Sequence, residues 1–295
     1  MDRKVALQLR NTEPLDMMAK AMADAGFKYV AMAFGDEKPM QSDDWEKHVY
    51  NAGDVFAKYG LKCIQTHAPY YDLMISAEER DENFETALCR SIEATRMLGA
   101  EICAVHPRSV IIDKRPVEYI VDRDRSLEEN IKSFKPLVEL CEKNDVLLGI
   151  ENLMTYPFVV MPDFYSCIAE DHCAMIDALD SDHVAAIWDF GHANLVDTDH
   201  AERIKTLGSR IKGTHVHNNG AKEDTHLPPF MPPRSVHYVR RTVDWNSVLA
   251  ALRSTGFDGY LTLETVVNLD YSVGPYVKYL YDSVCELESI LKEEK

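Results

Sequence analysis

Carboxylates and imidazoles recur at the ends of short apolar runs: His67 in Gln-Thr-His-Ala-Pro, His106 in Ala-Val-His-Pro-Arg, Glu151 in Gly-Ile-Glu-Asn-Leu, and Asp189 with His192 in Trp-Asp-Phe-Gly-His. His215 and His217 follow in Thr-His-Val-His-Asn-Asn, Asp224 and His226 in Asp-Thr-His, and Glu264 in Leu-Thr-Leu-Glu-Thr. A carboxylate at the end of a buried apolar strand is costly unless it meets a cation or a metal. Any one of these groups alone is explained by a salt bridge or a satisfied, half-buried imidazole. Six successive runs ending this way need a shared explanation, and Arg108 is the obvious cation near them. A bound divalent metal is the simplest compensation. Glu151, Asp189, His215 and Glu264 form a set of three carboxylates and one imidazole. Such an oxygen-rich set suits manganese first, with magnesium or cobalt as alternatives and zinc admitted by the added histidines. The ion would act as a Lewis acid on a carbonyl or hydroxyl oxygen. His215 and His217, two apart on a strand, face the same side, so only one of them need be a ligand.

The elements that must position these residues alternate short β-rich runs with amphipathic stretches of helical period, the pattern of repeated βα units. The predicted strands are Val5 to Arg10, Tyr29 to Phe34, Lys62 to Ala68, Glu101 to Arg108, Val146 to Leu153, Val184 to Asp189, Ile211 to Asn218 and Tyr260 to Thr265. Helices are expected over Leu15 to Phe27, leaving at Gly26, and over Asp43 to Tyr59, leaving at Gly60. Later ones end at Gly99, Gly208 and Gly256. No Pro/Ser-rich linker or charge block divides the chain. The expected fold is therefore an α/β (β/α)8 TIM barrel, one domain over residues 1–295, whose strand ends converge on one mouth. Two connections are longer than a barrel needs, Ser109 to Arg123 and the proline-rich Asn219 to Thr242. Long connections on that face shape substrate pockets, the plainer reading being structureless insertions. Lys222, Arg234, Arg240 and Arg241 lie in or near the second, where solvated surface charge is the expected role for most.

Composition narrows the function classes. A hydrophobic share of 46% and a charged share of 27% describe a folded globular chain. The net charge of -17 weighs against nucleic acid, because non-specific affinity for phosphodiesters rests on Lys and Arg. Seven scattered cysteines without a Cys-X-X-Cys read as reduced thiols, and Cys167-His172-Cys173 is better explained as helix surface or loop than as a metal cluster. The start runs directly into a strand, with neither a signal-peptide pattern nor a run of about 18 apolar residues, so the expectation is a cytoplasmic protein without a membrane partner.

In the order Gly-Ile-Glu-Asn, Trp-Asp-Phe-Gly-His-Ala, His-Val-His-Asn, Asp-Thr-His-Leu-Pro, Val-Asp-Trp and Leu-Thr-Leu-Glu-Thr, the sequence resembles the xylose-isomerase-like barrel superfamily over nearly its whole length. That superfamily groups sugar and sugar-phosphate isomerases and epimerases with endonuclease IV. The resemblance to its tagatose-epimerase-like members implies one metal on Glu151, Asp189, His215 and Glu264. Glu151 and Glu264 would then double as the acid/base pair, taking a proton from beside a carbonyl and returning one through an enediolate. His67, His106, His192, His217, Asp224 and His226 would contact the substrate, a small-molecule sugar or sugar derivative. The family also allows a homo-oligomer or a small partner subunit.

Three alternatives stand beside this reading. Endonuclease IV holds three zinc ions, and His67, His106, Glu151, Asp189, His192, His215, Asp224, His226 and Glu264 match its ligands without a gap. Against it stand Leu-Pro-Pro-Phe-Met-Pro-Pro and Val243-Asp244-Trp245 after Asp224-Thr-His226, where the endonuclease has Asp-Arg-His and a Gly-rich segment, and the acidic balance. Other members cleave 3-oxo-glycosides, including C-glycosides, by β-elimination, often with a small partner subunit. Phe230, Met231, His237 and Tyr238 could accommodate such an aglycone. A sugar-binding barrel without catalysis is the weakest reading, since both glutamates are present.

Overall fold

The computed structural model describes residues 3–70, 72–73, 76–79, 81–115, 118–155, 163–196, 198–233, 239–267 and 272–293. The chain opens with β1 (Val5–Arg10), α1 (Leu15–Ala25), β2 (Tyr29–Ala33), α2 (Lys38–Gln41), α3 (Trp45–Lys58), β3 (Lys62–His67), α4 (Glu82–Met97) and β4 (Ile102–Val105). A pair of antiparallel strands, β5 (Val110–Arg115) and β6 (Glu118–Asp122), interrupts the repeat. It resumes with α5 (Arg123–Asn144), β7 (Leu147–Glu151), α6 (Ala169–Leu179), β8 (Val184–Asp189), α7 (Phe190–Leu195) and α8 (His200–Leu207). It ends with β9 (Ile211–His215), α9 (Trp245–Ser254), β10 (Leu261–Leu263) and α10 (Val273–Lys292).

Eight of these strands form one sheet in the order β10-β1-β2-β3-β4-β7-β8-β9, all neighbours parallel. The two ends of the sheet meet at a single bridge between Val216 and Leu263. There the Val216 amide donates to Thr262 O at 2.8 Å and the Glu264 amide to Val216 O at 3.1 Å. The result is the (β/α)8 barrel read from the sequence, with the predicted strands shortened by at most one residue at the start and three at the end. The helix exits also agree: φ is 112° at Gly26 and 68° at Gly60, a conformation glycine adopts without steric cost.

The two long connections differ in structure. The segment after β4 is not a structureless insertion. Its strands β5 and β6 pair antiparallel with Val110 opposite Asp122 and Ile111 opposite Val121, as β-branched residues favour. The segment after β9 lacks a helix or ladder among its described residues but is pinned by an antiparallel bridge between Asn218 and Leu227. Arg234, His237 and Tyr238 lie outside the described residues.

Strands buried on both faces account for the near-continuous apolar runs. Outward side chains such as Trp188 pack under the helices, while Ile102, Ala104, Ala185 and Ile187 fill the barrel interior. Room for Ile187 comes from Gly213: a Cβ there would lie 2.4 Å from Ile187 Cδ1. Among the described residues no helix is long and apolar enough to cross a membrane. The cysteines are free, and no candidate metal group among the described residues includes one. His172 is instead a buried core histidine whose ring meets Ile150 O at 2.8 Å.

Candidate active site

Strand register assembles the site. In the β8–β9 ladder Asp189 sits directly beside His215, and Glu151 ends the neighbouring β7 opposite Ile187. Glu264 follows β10 by one residue across the closing bridge. Asp189 has a second task, because its Oδ1 accepts the His192 amide at 2.6 Å and caps α7. The Phe-Gly-His turn therefore delivers His192 to the same mouth. Gly191 in that turn cannot be anything larger, since a Cβ would fall 1.8 Å from the His217 ring.

His215 Nδ1 stands 3.1 Å from Glu151 Oε1, 3.3 Å from Glu264 Oε2 and 3.8 Å from Asp189 Oδ2, with all four residues buried. Glu151 Oε2 also meets His67 Nε2 at 3.0 Å and His106 Nε2 at 3.2 Å. A second group lies beside this one. His217 Nε2 is 3.1 Å from Asp189 Oδ2, and Asp224 Oδ2 is 2.9 Å from His226 Nε2 and 3.3 Å from His192 Nε2. The His217 and His226 rings stack with centroids 4.0 Å apart. His226 itself has φ 45°, an uncommon conformation for a residue with a Cβ, of the kind that clusters at functional sites.

The donor atoms of Glu151, Asp189, His215 and Glu264 lie within 4.8 Å of one another, as do those of His192, His217, Asp224 and His226 and those of His67, His106 and Glu151. The hydrogen bonding fits a cation. His67, His192 and His226 each direct Nδ1 at a backbone carbonyl, Ala68 O at 2.7 Å, Asn152 O at 2.9 Å and Glu264 O at 2.8 Å. With Nδ1–H donating, each ring presents an Nε2 lone pair to a carboxylate oxygen. Two facing acceptors need a proton or a metal between them, and a ring tethered through its far nitrogen is the usual support of a metal-bound histidine. Glu151 Oε1, His215 Nδ1, His217 Nδ1 and Asp224 Oδ1 are buried without a well-formed hydrogen bond.

Protons hold the charges in balance when no metal is bound. Burial opposes ionisation of Glu151, yet His215 and His106 hold its carboxyl well below the usual range. Burial is likewise outweighed at Asp189 by His192 and His217, at Glu264 by His215 and His226, and at Asp224 by His226 and His192. Conversely, burial disfavours the imidazolium forms, but Glu151 and Glu264 push His215 up to about 9 and Asp224 pushes His226 up to about 10.

A cavity of about 180 Å³ opens over these groups, lined also by Arg10, Tyr70 and Met154. That is below the roughly 300 Å³ at which pockets for drug-sized ligands begin, so its fit is to one small polar molecule. Tyr70 separates it from a cleft of about 580 Å³ lined by Asp36, Glu37, Asp72, Phe84 and Arg108. Burial raises the Tyr70 phenol, keeping it protonated, and its enclosed hydroxyl makes no well-formed hydrogen bond.

All ten sequence-predicted site residues meet at this mouth. Arg108 is placed differently from expectation: its guanidinium donates to Ser76 O and Glu79 O beside the neighbouring cleft, and Arg10 is the cation lining the small cavity. Arg241 likewise donates to Asn194 O and Val196 O. Sequence reasoning missed Arg10, Tyr70 and the amides behind the carboxylates. Gln8 Nε2 donates to Glu264 Oε1 at 2.8 Å, and Asn152 clasps the Asp189 backbone through both its N–H and its C=O. The signal for Gln8 was a polar residue inside an apolar strand.

A family model described as xylose isomerase-like TIM barrel matches residues 19–274. The chain belongs to that family. An uncharacterized protein of Methanocaldococcus jannaschii is 25% identical over 96% of this chain and 99% of its own. D-psicose 3-epimerase of Enterocloster bolteae is 24% identical over 58% of this chain and 52% of its own. Among solved structures, a D-tagatose 3-epimerase-like protein matches with TM-score 0.70 and 18% identity over 98% of both chains. 3-Keto-D-glucoside 4-epimerase from E. coli matches with TM-score 0.72 and 17% identity over 97% of this chain and 99% of its own. IolI protein with a zinc atom matches with TM-score 0.71 and 15% identity over 96% and 98%. These structural likenesses establish the shared barrel.

Proposed function

We propose that this chain is a divalent-metal-dependent sugar isomerase or epimerase, with Glu151, Asp189, His215 and Glu264 holding the ion and Glu151 and Glu264 exchanging the proton. The observation that carries the reading is the pair of buried glutamates converging on one imidazole nitrogen, at 3.1 and 3.3 Å, beneath a cavity sized for a small polar molecule. A bound ion supplies Lewis acidity toward substrate oxygens, with manganese suited to the oxygen-rich set and magnesium, cobalt or zinc as alternatives. One of Glu151 and Glu264, ionised, removes a proton from beside a carbonyl, and the other, in its protonated form, delivers one to the enediolate. Tyr70 stays protonated and donates to a substrate oxygen. Likenesses to psicose, tagatose and keto-glucoside epimerases support a keto-sugar as the substrate class.

The test is solvent exchange. Wild-type protein loaded with manganese and incubated in deuterated water with a panel of free, phosphorylated and glycosylated ketoses exchanges the α-hydrogen of at least one. Glu151→Gln and Glu264→Gln do not. Absence of exchange by wild type over the whole panel refutes isomerase chemistry.

A second reading is favoured by one observation, the further donor groups His192–His217–Asp224–His226 and His67–His106–Glu151. Three ions across these groups would support phosphodiester hydrolysis, since clustered metals activate water and clamp the reacting oxygens. Metal analysis separates the two. One ion per chain supports the sugar enzyme, and three zinc ions with cleavage of abasic DNA support the phosphodiesterase.

A further inference from the structure

The rings of His67, His192 and His226 are tethered alike, each by Nδ1 to a backbone carbonyl, a group that can only accept. His215 is turned the other way round. Its Nδ1 faces the carboxylates, and its Nε2 lies 2.8 Å from the side-chain amide of Gln65, with both residues buried. Gln65 is two residues before His67 on β3, so it points into the barrel a layer below the donor groups. Gly213, two residues before His215, leaves it room: a Cβ there would come within 2.9 Å of Gln65 Oε1. Beneath lies a cavity of about 400 Å³ at the opposite end of the barrel, which Gln65 and Gly213 both line.

An amide differs from a carbonyl in one respect: half a turn about its terminal bond exchanges a donor for an acceptor. With Gln65 donating to Nε2, the ring proton must reside on Nδ1, where it faces Glu151 and Glu264. With Gln65 accepting, the proton is held on Nε2 and the Nδ1 lone pair is aimed at the carboxylates. We infer that Gln65 is a positioning residue that accepts from His215 Nε2–H and so keeps the Nδ1 lone pair aimed at a held ion. The inference rests on the reading that Glu151, Asp189, His215 and Glu264 bind a divalent ion. It assigns to the barrel floor a side-chain acceptor for His215 where the other three rings rely on backbone carbonyls.

Calorimetric titration with zinc, combined with nitrogen NMR of histidine-labelled protein, tests it. His215 resonances are assigned by their loss in His215→Gln. Wild type carries the His215 proton on Nε2 when zinc is bound, leaving Nδ1 unprotonated. Gln65→Leu binds zinc about 10- to 100-fold more weakly, the usual cost of losing a ligand's hydrogen-bond partner. Gln65→Glu, which can accept from Nε2–H, restores affinity to within about threefold, a rescue that a packing role would not give. Should Gln65→Leu fail to fold, Gln65→Met serves in its place. Equal affinity in Gln65→Leu and wild type, equal loss in Gln65→Glu and Gln65→Leu, or zinc-bound wild type without a proton on His215 Nε2 overturns the inference. Failure of wild type to bind zinc at all is a different result, because it removes the metal reading itself.

Discussion

The two donor groups at the mouth are held by different means. Glu151, Asp189 and His215 are the last residues of β7, β8 and β9, and Glu264 follows β10 directly, so their positions are fixed by neighbouring strands. In the outer group, His192 rides on a six-residue helix, and Asp224 and His226 sit in a connecting segment where His226 takes a left-handed conformation. The inner group is built from the scaffold and the outer from what decorates it. Chemistry common to a barrel family belongs to the former, and the feature that distinguishes one reaction from another belongs to the latter.

Four substitutions or conditions test that division. The largest effect is expected from Asp189→Ala, which touches both groups and the α7 cap. Removing one partner from buried ion pairs costs about 3–5 kcal/mol, so chemical denaturation should show a loss of that order together with loss of metal binding. If stability is unchanged, Asp189 is not the link between the groups. Gly191→Ala forces a methyl into the His217 ring and is expected to cost about 1–3 kcal/mol as an overpacking change. It should disturb the outer group while a manganese titration still finds the inner site.

A third test uses pH on chelator-treated protein. His215 and His226 are raised above the ordinary value of about 6.5, so their stabilisation is complete below that pH. It is lost as pH rises through about 9 for His215 and about 10 for His226. The melting temperature of ion-free protein should fall over that window, and saturating manganese should flatten the inner group's share by replacing its proton. The smallest effect is expected of Asp224→Asn: weaker outer-group binding, with a lesser loss at the inner site, which Asp224 reaches only through His192, His217 and His226. A large loss at the inner site would merge the two groups into one.

What the sequence revealed follows the same division. Strand-end residues were legible because a strand fixes side-chain direction every second residue, and a carboxylate after an apolar run is conspicuous. Asp224 and His226 were visible only as a motif, because no periodicity predicts a left-handed residue or the Asn218–Leu227 bridge that presents it. Arg108 was misplaced because it lies past the end of β4, where the chain turns toward Ser76 and Glu79. Tyr70 also lies past a strand end, so nothing in its spacing marked it. Gln65 could have been found: a polar residue on the face of His67, inside an apolar strand, asks for a partner across the barrel. The hairpin of β5 and β6 was present as two β-branched runs and was obscured by the charged stretch between them.

The closing bridge between Val216 and Leu263 has a mechanical consequence. Sheet bonds elsewhere run in ladders of three or more registered pairs, whereas this join has one backbone bridge, backed by Thr214 Oγ1, which donates to Tyr260 O at 2.9 Å and accepts from the Thr262 amide at 3.3 Å. With the fewest backbone bonds of any strand pair in the sheet, this seam is where local opening is expected first. His215 stands on one lip of that seam and Glu264 on the other, 3.3 Å apart. Whatever bridges these two side chains therefore laces the barrel shut, and amide exchange along β9 and β10 should slow when it does.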